Sequence, residues 1–399
     1  MRGRKSIFIS FLCFPTALLL GCRHVENLAT DETTSGNGTG IATWDSSGDA
    51  GADAGDAAWD APKNVVLFIG DGMGQSHIAA AGMYENGESG TLYFESFPVH
   101  GLVNNASANA LITDSAAAAT AMACGRKVNN SVLALEIPGD AHELPSLVDF
   151  YKHRGKSTGL VTTTYITHAT PSAFAAHAAN RSNTADIAWH YLNSGRPELM
   201  FGGGGFGLTD EAAMDAGYTV YPSLEGYDPD AYVDGTTFVA GLFGVGYYPY
   251  EASGELDRPH LYETGPAAVE TLLNDPDGFF VMIEGGMIDQ AAHANRLDLV
   301  VGEMLAFEQT VQAVVDLVDI EETLVIVTAD HATGALEILE NNGMGLLPTI
   351  TWGTTVHNAG AVDLFAVGKG ADDIARRFEA GDGYLDNTEI FDFLTQPEL

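Results

Sequence analysis

The chain has 399 residues, 46% of them hydrophobic, enough for one large α/β domain or two smaller ones with a sizeable core. Its 54 acidic residues against 17 Lys and Arg give a formal net charge of −37, which favours solubility and excludes the basic faces that nucleic-acid backbones require. Of three cysteines only Cys124 falls in the part expected to fold, so stability there must come from packing rather than cross-links.

At the N-terminus, Arg2, Arg4 and Lys5 precede an apolar run from Ile7 to Leu20, too short for a membrane span. Residues 1–21 read as a signal peptide. The run ends in Leu19-Leu20-Gly21-Cys22, which resembles a bacterial lipoprotein cleavage box with Cys22 as the lipidated residue. The chain is therefore expected to be exported, either anchored to a membrane through Cys22 or released to the periplasm or exterior. Residues 22–61 are rich in Gly, Asp, Ser, Thr and Ala and read as a disordered acidic tether, spanning on the order of 35 Å.

The folded part, 62–399, opens with a buried strand at Asn64–Gly70 and a helix from about Gln75 to Tyr84. A strand at Val99–Asn104 leads to an Ala-rich helix that begins near Ser115. A helix near Leu144–His153 precedes a strand at Ser157–Thr162, and helices follow Pro171 and run through Asp186–Leu192. Between Met200 and Tyr250 the pattern breaks into Gly-, Tyr- and Pro-rich sequence, including Gly202–Gly205, and reads as irregular surface structure, a lid or a dimer contact. Glu263–Leu273 is expected to be helical, then come a strand at Gly278–Ile283, a long helix from about Val300 to Val318, and strands at Thr323–Thr328 and Ala361–Val367. This alternation predicts an α/β fold: a large, mainly parallel central sheet with helices on both faces.

Chemistry-bearing residues cluster where strands end. Glu284 and Asp330-His331 each follow a predicted strand, and open α/β sheets gather ligands at such carboxyl ends. Asp289 and His293, four apart, share a face if a helix begins at Met287. Closely spaced carboxylates and imidazoles suit zinc-type ions. Asp71 follows the first strand and precedes glycines that let backbone approach closely. Ser115, in Thr113-Asp114-Ser115, opens a helix whose free N–H groups and dipole favour a negative oxygen. On its own it reads as a helix cap; beside metal ions it becomes a candidate nucleophile.

The segments Asp71-Gly-Met-Gly, Thr113-Asp114-Ser115-Ala, Ala169-Thr170-Pro171, Glu284-Gly with Asp289 and His293, Thr328-Ala-Asp330-His331, and a late His357 occur in the order used by alkaline phosphatases. From about Lys63 onward the chain resembles that family. The resemblance implies a catalytic domain over 62–399 that hydrolyses phosphate monoesters through a phosphoserine on Ser115, with two zinc ions and one magnesium-type ion. It implies that Asp71, Asp330 and His331 hold the zinc beside Ser115, and that Asp289, His293 and His357 hold the second. Asp71, Thr170 and Glu284 take the third ion, with His168 in its surroundings where one branch of the family has Asp. Arg181, 13 residues after His168, matches the phosphate-clamping arginine, whose fork can meet two phosphoryl oxygens. Gln290 stands where several relatives have Lys or His. His357 lies 26 positions after His331, which leaves room for only a minimal crown insert. Dimers are common in the family, so a homodimer is an expectation.

Three such ions would leave the site at roughly +3 despite the acidic chain, because local charge outweighs a distant field screened over about 8 Å. A phosphodiesterase or sulfatase of the same superfamily, and a non-catalytic metal- or phosphate-binding surface lipoprotein, are the alternatives.

Overall fold

Seven consecutive buried residues, Asn64–Gly70, form β1; a strand apolar on both faces must be covered on both. The computed structural model describes residues 61–137, 142–232, 236–254 and 257–395. The expected signal peptide, Cys22 and all but the last residue of the tether lie outside the described residues.

After β1 come α1 (Gln75–Asn86), β2 (Val99–Asn104), α2 (Ser115–Cys124), α3 (Leu147–His153), β3 (Ser157–Tyr165), α4 (Ala169–Ala175) and α5 (Thr184–Asn193). The middle of the chain holds β4 (Leu199–Gly204), α6 (Asp210–Asp215), β5 (Tyr218–Tyr221), β6 (Phe238–Val245) and α7 (Leu261–Leu272). There follow β7 (Phe279–Gly285), α8 (Met287–His293), α9 (Leu297–Leu317) and β8 (Thr323–Ala329). Four short strands, β9 (Ala332–Thr333), β10 (Leu336–Glu340), β11 (Thr349–Trp352) and β12 (His357–Asn358), precede β13 (Val362–Gly368). The C-terminal elements are α10 (Ala371–Ala380), β14 (Tyr384–Asp386) and α11 (Glu389–Thr395).

Ten strands form the main sheet in the order β14-β2-β13-β8-β1-β7-β3-β4-β6-β5. Only β13 runs against its neighbours, β8 and β2. Helices cover both faces. On one, α9 presents Phe307 edge-on to Phe68 of β1, with ring centres 5.8 Å apart. On the other, Phe280 of β7 stacks on Tyr151 of α3 at 5.1 Å and on Phe174 of α4 at 6.1 Å. Each such fully buried ring contributes about 1.5–3 kcal/mol of burial. Between His331 and His357 the only additions are β10–β11 and the β9–β12 pair, as the short spacing requires.

The expectation for Met200–Tyr250 is overturned. This stretch supplies β4, β5 and β6, three parallel strands of the main sheet. Within β4 glycine serves close packing: a Cβ on Gly203 would sit 1.9 Å from the Gly246 carbonyl oxygen.

One buried charge in α9 sets a pH dependence. The Glu303 carboxylate accepts the Glu251 N–H at 2.8 Å, and burial, reinforced by the Glu251 charge, pushes its pKa up to about 8 from 4.5. A carboxyl raised on folding costs nothing below the unfolded pKa and loses stability as pH rises through the folded one. Glu303→Gln is expected to raise Tm by a few degrees at pH 9 and to leave it unchanged near pH 4, as calorimetry at the two pH values would read.

Candidate metal centre

Adjacent strands β8, β1 and β7 end level with one another, Gly70 pairing with Ala329 and with Gly285. That register sets Asp330, Asp71 and Glu284 side by side at the carboxyl edge of the sheet, all fully buried. The α8 helix starts at Met287, so Asp289 and His293 do share a face, with His293 Nε2 3.2 Å from Asp289 Oδ2. His331 Nε2 stands 3.5 Å from Asp71 Oδ1 and 3.3 Å from Asp330 Oδ2. His357 Nε2 lies 3.2 Å from His293 Nε2 and 3.8 Å from Asp289 Oδ1. Asp71, Asp330 and His331 thus form one potential ligand group, Asp289, His331 and His357 a second, and Asp71, His168 and Glu284 a third.

The three imidazoles are oriented from behind. His293 Nδ1–H donates to the Thr355 carbonyl at 2.7 Å and His357 Nδ1–H to that of Thr113 at 2.9 Å. Thr333 donates its hydroxyl hydrogen to Asp289 Oδ1, which leaves its oxygen 3.3 Å from His331 Nδ1 as an acceptor. Each ring therefore turns its Nε2 toward the carboxylates, free to ligate a metal once deprotonated; the Asp289 hydrogen bond raises the pKa of His293 above its ordinary value. Burial pushes His331 down to about 4, keeping it neutral.

Charge in this cluster is uncompensated. Burial and the charges of Asp330, Asp289 and Glu284 hold Asp71 well above the usual carboxylate range. Burial likewise pushes Glu284 up to about 7, although the Thr162 hydroxyl donates to it, and Asp330 to about 6. For Asp289, burial is outweighed by the His293 hydrogen bond and by the charges of His331, His293 and His357, which bring it below the usual range. Both Asp71 oxygens and Asp330 Oδ2 are buried with no hydrogen-bond partner, and the buried Thr170 hydroxyl lies against Glu284. Orphaned oxygens packed this closely fit divalent cations, nitrogen-bearing groups suiting zinc and oxygen-rich ones magnesium.

Ser115 is the first residue of α2, and its Oγ lies 3.2 Å from His331 Nε2. Asp114 caps the helix by accepting the Ala117 N–H at 3.1 Å and also accepts the Ser131 N–H. Its second oxygen takes Arg181 Nη1 at 3.2 Å, while Arg181 Nη2 donates to His168 Nε2 at 3.1 Å. With that nitrogen accepting, the neutral His168 ring carries its hydrogen on Nδ1, which is buried without a partner. Burial and the Arg181 charge push His168 down to about 3.

All eleven residues singled out from the sequence converge here. Asp114, Thr333 and Thr162 were not foreseen as parts of the site, nor were the Thr113 and Thr355 carbonyls. Backbone oxygens carry no side-chain signature, although Thr-Asp-Ser does place Asp114 beside Ser115. Gly72 is also required: φ is +69° and an added Cβ would lie 2.5 Å from Asp289 Oδ1. Gly72→Ala is expected to weaken divalent-ion affinity by about 10- to 100-fold, measured by competition with a chelator.

Residues 62–201 and 230–361 match the family model described as alkaline phosphatase. Alkaline phosphatase 3 of Bacillus subtilis is 35% identical over 297 residues, covering 70% of this chain and 63% of its own length. The tissue-nonspecific alkaline phosphatase of Homo sapiens is 28% identical over 352 residues, covering 72% and 67%. The chain thus spans about two thirds of the length of these curated relatives. The structure of the alkaline phosphatase from the Antarctic bacterium TAB5 superimposes with a TM-score of 0.72 at 28% identity, over 84% of this chain and 97% of that one. With the fold, the ligand groups and the sequence match in agreement, this chain belongs to the alkaline phosphatase family.

Proposed function

We propose that this protein hydrolyses phosphate monoesters to an alcohol and orthophosphate through a phosphoserine on Ser115. The observation that carries the reading is a helix-opening hydroxyl 3.2 Å from His331 Nε2, beside four buried carboxylates, the buried His331 and the half-buried His293 and His357. Asp71, Asp330 and His331 would hold one zinc, Asp289, His293 and His357 the other, and Asp71, Thr170 and Glu284, with His168 alongside, a magnesium-type ion. When bound, such ions supply positive charge to the attacking and leaving oxygens and ionise water near neutrality. A related TAB5 alkaline phosphatase with a histidine exchanged for glutamate is described with Mg bound in its M3 site; here His168 stays beside the third group, and which ion it takes is for metal analysis to decide.

The chain's own residues provide position. Ser115 Oγ bonds to phosphorus as the ester oxygen departs, and water then cleaves the phosphoserine and restores the hydroxyl. Arg181, braced by Asp114, offers its guanidinium N–H groups to two phosphoryl oxygens. Acid quenching with labelled aryl phosphate, followed by peptide mapping, should place the phosphoryl group on Ser115; label on another residue would refute the assignment. Comparing aryl phosphate, bis-aryl phosphate and aryl sulfate separates this reading from a diesterase or sulfatase.

Gln290 Nε2 approaches Asp289 Oδ2 at 3.4 Å and brings no charge to this rim. Gln290→Lys is expected to tighten inhibition by orthophosphate several-fold and to slow product release; unchanged or weaker inhibition would count against it. Export, with Cys22 as a lipid anchor, belongs to the same proposal. It is supported by the Bombyx mori relative described as a membrane-bound alkaline phosphatase. No helix among the described residues is long and apolar enough to cross a membrane.

A further inference from the structure

We propose that Glu143, His177 and His190 form a separate site for one zinc-type divalent ion, sharing no residue with the Ser115 cluster. Each offers a ligand atom, and the three atoms lie within 4.8 Å of one another. The residues come from three segments: Glu143 from a bridge with Leu135, His177 from the stretch between α4 and Arg181, and His190 from α5.

Both rings are set for ligation by their Nδ1 partners. His177 Nδ1–H donates to the Ala134 carbonyl at 2.9 Å. His190 Nδ1 lies 2.9 Å from Ser194 Oγ, which can give its own hydrogen to the His190 carbonyl at 3.3 Å and accept from the ring in the Nδ1–H tautomer. With Nδ1 as donor, each ring presents Nε2 as its ligating nitrogen, the orientation also found for His293 and His357. The rings meet edge to face with centres 5.2 Å apart. Two imidazoles and one carboxylate select a zinc-type ion over magnesium or calcium, which take all-oxygen shells, and leave a fourth position for water.

The ion would tie α5 to the segment carrying Arg181. That segment already pairs with Leu133 through Ala178 and with Ser131 through the Arg181 N–H. The stabilisation is lost with the metal and does not require turnover.

The test uses the full chain, stripped by chelator and reloaded with zinc and magnesium. Elemental analysis should find about one zinc fewer per chain in His177→Gln/His190→Gln than in wild type. The zinc-dependent rise in Tm should be smaller in the variant, with kcat at room temperature unchanged. Glu143→Gln, on the exposed rim, provides a second reading in case the double variant does not fold: it should release one zinc at lower chelator concentration than wild type. Equal zinc content in folded wild type and double variant, or identical zinc release from Glu143→Gln, overturns the proposal. Because the readout is a difference in metal between folded proteins, it is independent of any activity at Ser115.

Discussion

Ser115→Ala is expected to lose at least about a thousandfold in kcat on aryl phosphate and to yield no acid-stable phosphoenzyme, while its metal content is unchanged. The hydroxyl occupies the first position of α2, and removing one oxygen leaves every ligand-bearing strand and the Asp114 cap in place. The cap matters to the logic: because Asp114 satisfies the helix end, Ser115 is not needed for it, and its loss should cost little stability. Metal content by elemental analysis and turnover on the same sample decide the matter. Retained turnover in metal-replete Ser115→Ala would eliminate the nucleophile.

Chelation is expected to lower Tm by about 10 °C or more at pH 8, because ions that bind only the folded chain stabilise it by mass action. The size of the drop should depend on pH. In the metal-free chain, burial and mutual repulsion raise Asp71 well above its ordinary value, Asp330 to about 6 and Glu284 to about 7. Groups raised on folding contribute fully below their unfolded pKa and lose that contribution as pH climbs through the folded value. The chelated protein should therefore weaken between about pH 4 and pH 7, whereas cations in the loaded protein neutralise the same carboxylates. Asp289, held low, loses its contribution only in more acidic solution and does not enter this window. The gap in Tm between loaded and chelated protein should widen across that range; a gap independent of pH would contradict the carboxylate cluster.

β1 was legible because burial on both faces leaves an uninterrupted apolar run, and β2 because its burial alternates along the strand; the two coincide with the predicted Asn64–Gly70 and Val99–Asn104. The helix start at Met287, on which the pairing of Asp289 with His293 depends, was also legible. Glycine misled the reading of Met200–Tyr250. Three consecutive glycines ordinarily signal a turn, yet they lie within β4, where Gly203 admits the Gly246 carbonyl at a distance no side chain tolerates. The C-terminal elements went unread although α10 carries a periodic signal in Ala371, Ile374 and Phe378. Phe378 presses on Gly101 of β2, a long-range contact no local pattern encodes. At the site, ligand identities could be read from residues at strand ends, but the orientation of His293 and His357 comes from main-chain carbonyls. The Asp114–Arg181 pair spans 67 positions and emerges only from the fold.

The most direct test of the account is metal content against turnover as chelated protein is reloaded with zinc and magnesium. Cleavage of aryl phosphate should be negligible without metal and reach its plateau once the Ser115 cluster holds about two zinc and one magnesium. Full turnover in protein free of divalent ions, or a fully loaded protein that never releases phosphate, would contradict it.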